Sequence, residues 1–279
     1  MVGKSKGDFM NGGLIEGLKK LYIGNDVLKR HLFILLIAVI TVIPFAFVQG
    51  EVDTSSNLAT LKQLAEVGPW AVILYLGGLF FLGLYAVHFT HNALKFFLWA
   101  DHQDDPEKTK ALDIAPKFDK NIMNHAGNIL IYYICLMVVL FIVILPVALV
   151  AWIPIIGWGL LILVALVISI SAPYLVVGFS KNYDMSKNIS PTLLFQYFPQ
   201  IFLPTLVLGI KMFVLWIGAF IGGLILAFII GAAFSAFHEG FVTCIAASVM
   251  LYILYIVTLA YQYAIAYIYY DRIELNKEI

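Results

Sequence analysis

The chain has 279 residues, of which 62% are apolar and 12% charged, and its 17 basic and 17 acidic residues leave a formal charge of zero. Soluble domains hold about 45–50% apolar and about 25% charged residues, so this apolar excess requires a solvent other than water, and lipid is that solvent. Neutrality excludes the basic field a nucleic-acid partner needs. The two cysteines, Cys135 and Cys244, stand apart in apolar runs, which excludes a disulfide framework and a CxxC redox or zinc site.

Roughly 30 mostly polar residues precede the first apolar run, and no small-residue cleavage site follows it, so the first span is expected to be retained and not cleaved as a signal peptide. A helix crossing about 30 Å of hydrocarbon at about 1.5 Å per residue needs about 20 apolar residues. The first such run is Leu32 to Val48, and the second runs from Trp70 to about Phe89, with His91, Asn92 and Lys95 marking exit into the interface. Ile129 to Phe179 is about twice the required length and carries Pro146, Pro154 and Gly157 near its middle, so it is expected to form two spans joined by a turn at Trp152 to Gly157. Leu206 to Phe234 and Phe241 to Tyr270 complete six.

Short cytoplasmic loops retain Lys and Arg. With six spans, 15 of the 17 basic residues fall on the side of both termini; the exceptions are Lys62, in an outer loop over 50–69, and Lys211, within or beside a span. The N- and C-termini are therefore expected on the cytoplasmic side, with a second cytoplasmic loop over 92–126.

Each hairpin is preceded by apolar residues at helical spacing beside charges: Leu14, Leu18 and Tyr22; Ala111, Ala115, Phe118 and Ile122; and Leu194, Phe195, Phe198 and Phe202, the last group after a Ser190-Pro191 helix start. In the outer loop Ser55 or Ser56 is expected to cap a short helix with Leu58, Leu61 and Leu64 on one face. The expected fold is an all-α polytopic integral membrane protein, one transmembrane domain over 1–279. Six transmembrane helices form three hairpins, each preceded by a short interfacial amphipathic helix, in units of about 14–99, 108–180 and 188–271.

Polar residues inside lipid mark function because each costs free energy unless paired or watered. Lys211 sits near the midplane if its helix starts near Phe202, and snorkels to the inner headgroups if Pro199 and Pro204 break the chain and the span starts near Leu208. Tyr252, Tyr255, Tyr263, Tyr267 and Tyr270 share a stripe on the last span, with Gln262 at its edge. That stripe either lines a cavity for a solute or headgroup or packs on neighbouring helices. Gly218 and Gly222, with Gly223 beside them, form a GxxxG face for a helix of this chain or of another subunit. His31, His88, His91, His102 and His125 cluster near helix ends, but their spacing matches no metal motif. No GxSxG, Walker loop or HExxH occurs, so no catalytic, cofactor or metal residues are expected.

Pro173-Tyr174 through Phe179 to Tyr183-Asp184, Phe198-Pro199, the Tyr261 to Ala264 region and the layout of surface segments and hairpins resemble the uncharacterised six-span prokaryotic membrane proteins of domain-of-unknown-function family 4013. The resemblance implies a prokaryotic inner membrane and assigns no activity. Two functions follow as expectations. One is a non-enzymatic scaffold or accessory subunit of a membrane complex, with partner membrane proteins or self-association. The other is small-solute or lipid transport, with Lys211, Tyr252, Tyr255, Gln262 and Tyr263 as contacts.

Overall fold

The computed structural model describes residues 8–23, 26–48, 56–102, 116, 123–150, 152, 153, 155–233 and 239–275. Among them the chain is helical, without a strand. The order is α1 (Asp8–Leu21), α2 (Val27–Val42) with a 3₁₀ turn (Ile43–Phe47), α3 (Asn57–Val67), α4 (Pro69–His102), α5 (Ala126–Val150), α6 (Ile156–Asn182), α7 (Pro191–Ala233), α8 (Glu239–Tyr269) and a closing π-helical turn (Tyr270–Glu274). Six helices, all but α1 and α3, are long and apolar enough to cross a membrane. The chain is an all-α, multi-pass membrane protein.

Local chemistry sets the helix ends. Pro44 lacks an N–H and turns the end of α2 into the 3₁₀ turn, where Phe45 and Phe47 meet Tyr75 and Trp70 edge-on, each at 5.4 Å. The Ser56 hydroxyl accepts the Ala59 N–H at 3.1 Å and caps α3. Gly68, at φ +144°, stops α3 in a backbone conformation that favours glycine, one residue before α4. Ser190 and Pro191 open α7 as the sequence suggests, the Ser190 hydroxyl accepting the Thr192 N–H at 3.3 Å. Between α5 and α6 the described turn residues include Ile155, whose φ of +69° is strained for a β-branched side chain.

Four expectations need correction or fall elsewhere. The segment before the fifth span is not a separate helix, because α7 runs unbroken for 43 residues through Pro199 and Pro204. A break there would free more backbone groups than the two hydrogen bonds the prolines remove, and apolar surroundings penalise each one. In α3 the inward stripe is Thr60 and Leu64, while Leu58 is exposed. In α1 it is Leu14, Gly17 and Leu21, while Tyr22 follows the helix and is exposed. The segment expected over Ala111 to Ile122 lies outside the described residues apart from Pro116, as do Ser55 and the basic residues Lys4, Lys6, Lys108, Lys110, Lys117, Lys120 and Lys277.

Contacts divide the chain into two compact units, one of Met1–Ile23, Ala86–Met212 and Leu259–Ile279, the other of Gly24–Tyr85 and Phe213–Thr258. Helices α5 and α6 belong wholly to the first unit, whereas α4, α7 and α8 contribute to both. In the first unit α1 packs on α8 through small residues. A Cβ on Gly17 would lie 3.0 Å from the Ala260 carbonyl oxygen, and one on Gly13 would touch Ala264 at 3.7 Å. Lys20 completes the seat, its ammonium 4.5 Å over the Phe96 ring. In the second unit α2 and α4 approach closely where Gly78 faces Thr41. Buried hydroxyls bond back to carbonyls of their own helix, as Thr41 to Ile37, Thr90 to Ala86 and Ser248 to Cys244 at 2.7–2.8 Å. On α5 only Ile129, Tyr132, Leu136 and Val139 are buried, one stripe at helical spacing. The apolar remainder suits a hydrocarbon solvent.

Candidate functional site

Two arrangements of polar side chains stand out, both in the first unit. One is built around Tyr183, which ends α6 in the left-handed conformation at φ +55° while its N–H bonds the Phe179 carbonyl at 2.8 Å. That geometry turns the ring back among three histidines. His125 stacks on it at 4.0 Å and 7°, His91 lies tilted at 4.9 Å, and the phenol shares a 2.7 Å hydrogen bond with His88 Nδ1. His91 Nδ1 donates to the Ser180 carbonyl, which fixes the proton on that nitrogen. Phe179 meets Tyr183 edge-on at 5.7 Å and itself stacks on Tyr132 at 3.9 Å. Burial raises the Tyr183 phenol above its ordinary range, so the hydroxyl stays neutral. Among the described residues no group of three or more His, Cys, Asp or Glu side chains has a metal-holding arrangement; His88 and His91 from within α4 and His125 before α5 meet the Tyr183 ring at the end of α6.

The other is a half-open cavity of about 550 Å³ beside that cluster, walled by the end of α6, the connection to α7, the first turns of α7 and the closing π turn. The connection is shaped by its own side chains. Ser186 donates to Asp184 Oδ1 from both its N–H (3.0 Å) and its hydroxyl (2.7 Å), and Asn188 Nδ2 donates to the Asp184 carbonyl at 2.8 Å. The Ser186 bonds hold the Asp184 carboxyl below its ordinary range. Gly178 lets this loop close in, since a Cβ there would sit 2.7 Å from Asn188 Oδ1. The walls carry Lys181, paired with Glu274 at 2.5 Å, and Lys187, with Gln196 and Gln200 one turn apart on α7. Tyr197 and Tyr269 meet edge-on at 6.1 Å behind them, and the Tyr269 hydroxyl interacts with Glu274.

Of the contacts expected from sequence, Tyr252 and Tyr255 lie in the second unit, and Lys211, Gln262 and Tyr263 in the first. Tyr252 hydrogen-bonds His31 Nδ1 at 2.6 Å, and Tyr255 donates to the Leu82 carbonyl at 2.6 Å while its ring meets Tyr85, all in the second unit. Tyr263 is fully buried in the first unit against Phe97 at 5.1 Å, and Gln262 beside it is half-buried. Tyr252, Tyr255 and Tyr263 of the tyrosine stripe thus pack on neighbouring helices. Lys211 is half-buried and lies 20 residues into the unbroken α7, which removes the chain break on which snorkelling was argued. Of the glycines, Gly223 packs inward, where a Cβ would sit 2.5 Å from Met250 Sδ, whereas Gly218 and Gly222 meet nothing within 4 Å.

Sequence reasoning used Lys181 and Lys187 only as markers of orientation and passed over Glu274, Gln196 and Gln200. The available signals were the i, i+4 amide pair on an otherwise apolar helix and the polar run from Lys181 to Ser190. Compared with known protein families, characterised proteins and solved structures, the chain matches none.

Proposed function

We propose that this is a non-enzymatic subunit or scaffold of the prokaryotic inner membrane, with cytoplasmic termini, that receives another transmembrane helix on the open Gly218–Gly222 face of α7. Kinship with family 4013 is part of this reading and rests on the residues quoted for it. The observation that carries it is the contrast between Gly223, where a Cβ would strike Met250, and Gly218 and Gly222, where a Cβ would meet nothing within 4 Å and which lie among exposed Phe213, Ile217 and Ile221. Small residues let helix backbones approach, and in lipid that close packing drives association. Because a Cβ at either glycine would meet nothing within 4 Å, Gly218→Ile with Gly222→Ile tests the face without an internal clash. The double variant should lose the dimer or stoichiometric partner seen after mild-detergent purification while its monomer unfolds no lower than the wild-type monomer. Association unchanged by the double variant contradicts the proposal.

A second reading, solute or lipid handling, is favoured by the charged cavity of about 550 Å³, a size within the range of small-molecule sites. On this reading its contacts are the cavity residues. Loss of a bound lipid or solute on Lys187→Met tests it.

A further inference from the structure

The cavity wall combines charges in a way that narrows its ligand. Glu274 and Lys181 form an ion pair at 2.5 Å whose side chains are 12% and 40% exposed, and Lys187 adds a second ammonium. A lone anion there would meet two lysines but also the Glu274 carboxylate, and a lone cation would meet Glu274 but also two lysines. A ligand carrying its own ammonium and phosphate satisfies both, the phosphate on the lysines and the ammonium on Glu274 and the side-chain carbonyls of Gln196 and Gln200. A quaternary ammonium would need an aromatic face. Tyr197 and Tyr269 do not supply one, being only 6% and 2% exposed. A primary ammonium, with N–H donors, uses the carboxylate and amides that are present.

The level of the cavity fits the same ligand. Lys181 is in the last turn of α6, and Glu274 closes the π turn that ends the last span. Both therefore stand at ends of membrane-crossing helices, where phospholipid headgroups lie. Leu193 and Ile273 add apolar wall beside the charged groups.

We infer that the cavity formed by Lys181, Lys187, Gln196, Gln200 and Glu274 binds a primary amine joined to a phosphate, the phosphoethanolamine group, carried by a membrane lipid or by a soluble ester. This rests on the lipid- or solute-handling reading and names its ligand.

The test uses the full chain in mild detergent, offered equimolar phosphatidylethanolamine, phosphatidylcholine and phosphatidylglycerol and read by native mass spectrometry, with thermal unfolding of each variant as a check on folding. Phosphatidylethanolamine should be retained about tenfold over the other two, the effect of one charge-assisted hydrogen bond. Lys187→Met should lower its retention, and Glu274→Gln should erase the preference over phosphatidylglycerol without abolishing binding. Displacement by millimolar free phosphoethanolamine supports a soluble source, and resistance to it supports the lipid. Equal retention of all three lipids, still lost in Lys187→Met, overturns the inference and leaves lipid handling standing. No retention, or retention indifferent to both substitutions, overturns both.

Discussion

Gly77 and Gly78 are consecutive in α4, yet substitution by alanine should have opposite effects. At Gly78 a Cβ would lie 2.9 Å from the Thr41 Cβ and 3.1 Å from its Cα, whereas at Gly77 nothing lies within 4 Å. Carbon atoms settle at about 3.5–4.0 Å, so α2 and α4 would have to part by about 0.5–1 Å. Thr41 cannot turn aside cheaply, because it is 1% exposed and its hydroxyl is held by the Ile37 carbonyl at 2.7 Å. Both alanines gain the same helix propensity, about 1 kcal/mol over glycine. The difference between the two variants therefore isolates the clash, worth about 1–3 kcal/mol. At about 2–4 °C per kcal/mol for a protein of this size, Gly78→Ala should unfold several degrees below Gly77→Ala. Heating in mild detergent with a thiol-reactive dye, which reports exposure of buried Cys244, measures this. Equal unfolding temperatures would refute the close approach of these two helices.

Tyr183→Phe keeps the stack on His125 and removes the hydroxyl that meets His88, so it should cost about 0.5–1.5 kcal/mol in the same assay; Tyr183→Ala should cost about 3–5 kcal/mol. Ser56→Ala removes the cap of α3 and should speed amide hydrogen exchange over its first turn, with about 1 kcal/mol lost locally. Asp184 titrates below its ordinary value in the folded chain, so its contribution to the turn is present above the unfolded pKa and is lost as pH falls through the folded one. Ser186→Ala should move that titration upward, as read by carboxyl-carbon NMR, and an unmoved titration would show that the Ser186 bonds do not hold the carboxylate.

What was legible in the sequence was whatever a local pattern writes. Long apolar runs gave six spans, the proline and glycine between Trp152 and Gly157 gave the turn between α5 and α6, and Ser56 and Ser190-Pro191 gave helix starts. The continuity of α7 was not legible, because a proline pair is a break signal in water and a tolerable loss in apolar surroundings. The Gly13/Gly17 seat for α1 carried a visible small-residue spacing, but its partner Ala260 is more than 240 residues away in sequence. The cavity was hidden for the same reason. Glu274 reaches Lys181 across 93 residues, and the left-handed turn at Tyr183 that directs the loop falls on a residue type with no preference for it.

The six-crossing arrangement is tested most directly by single cysteines in a cysteine-free background, labelled with a membrane-impermeant maleimide in intact cells and after lysis. Cysteine at Glu66 or Trp152 should react in intact cells, and cysteine at Asp26 or Ser186 only once the membrane is opened. Reaction of Glu66 and Ser186 positions from the same side would contradict the account.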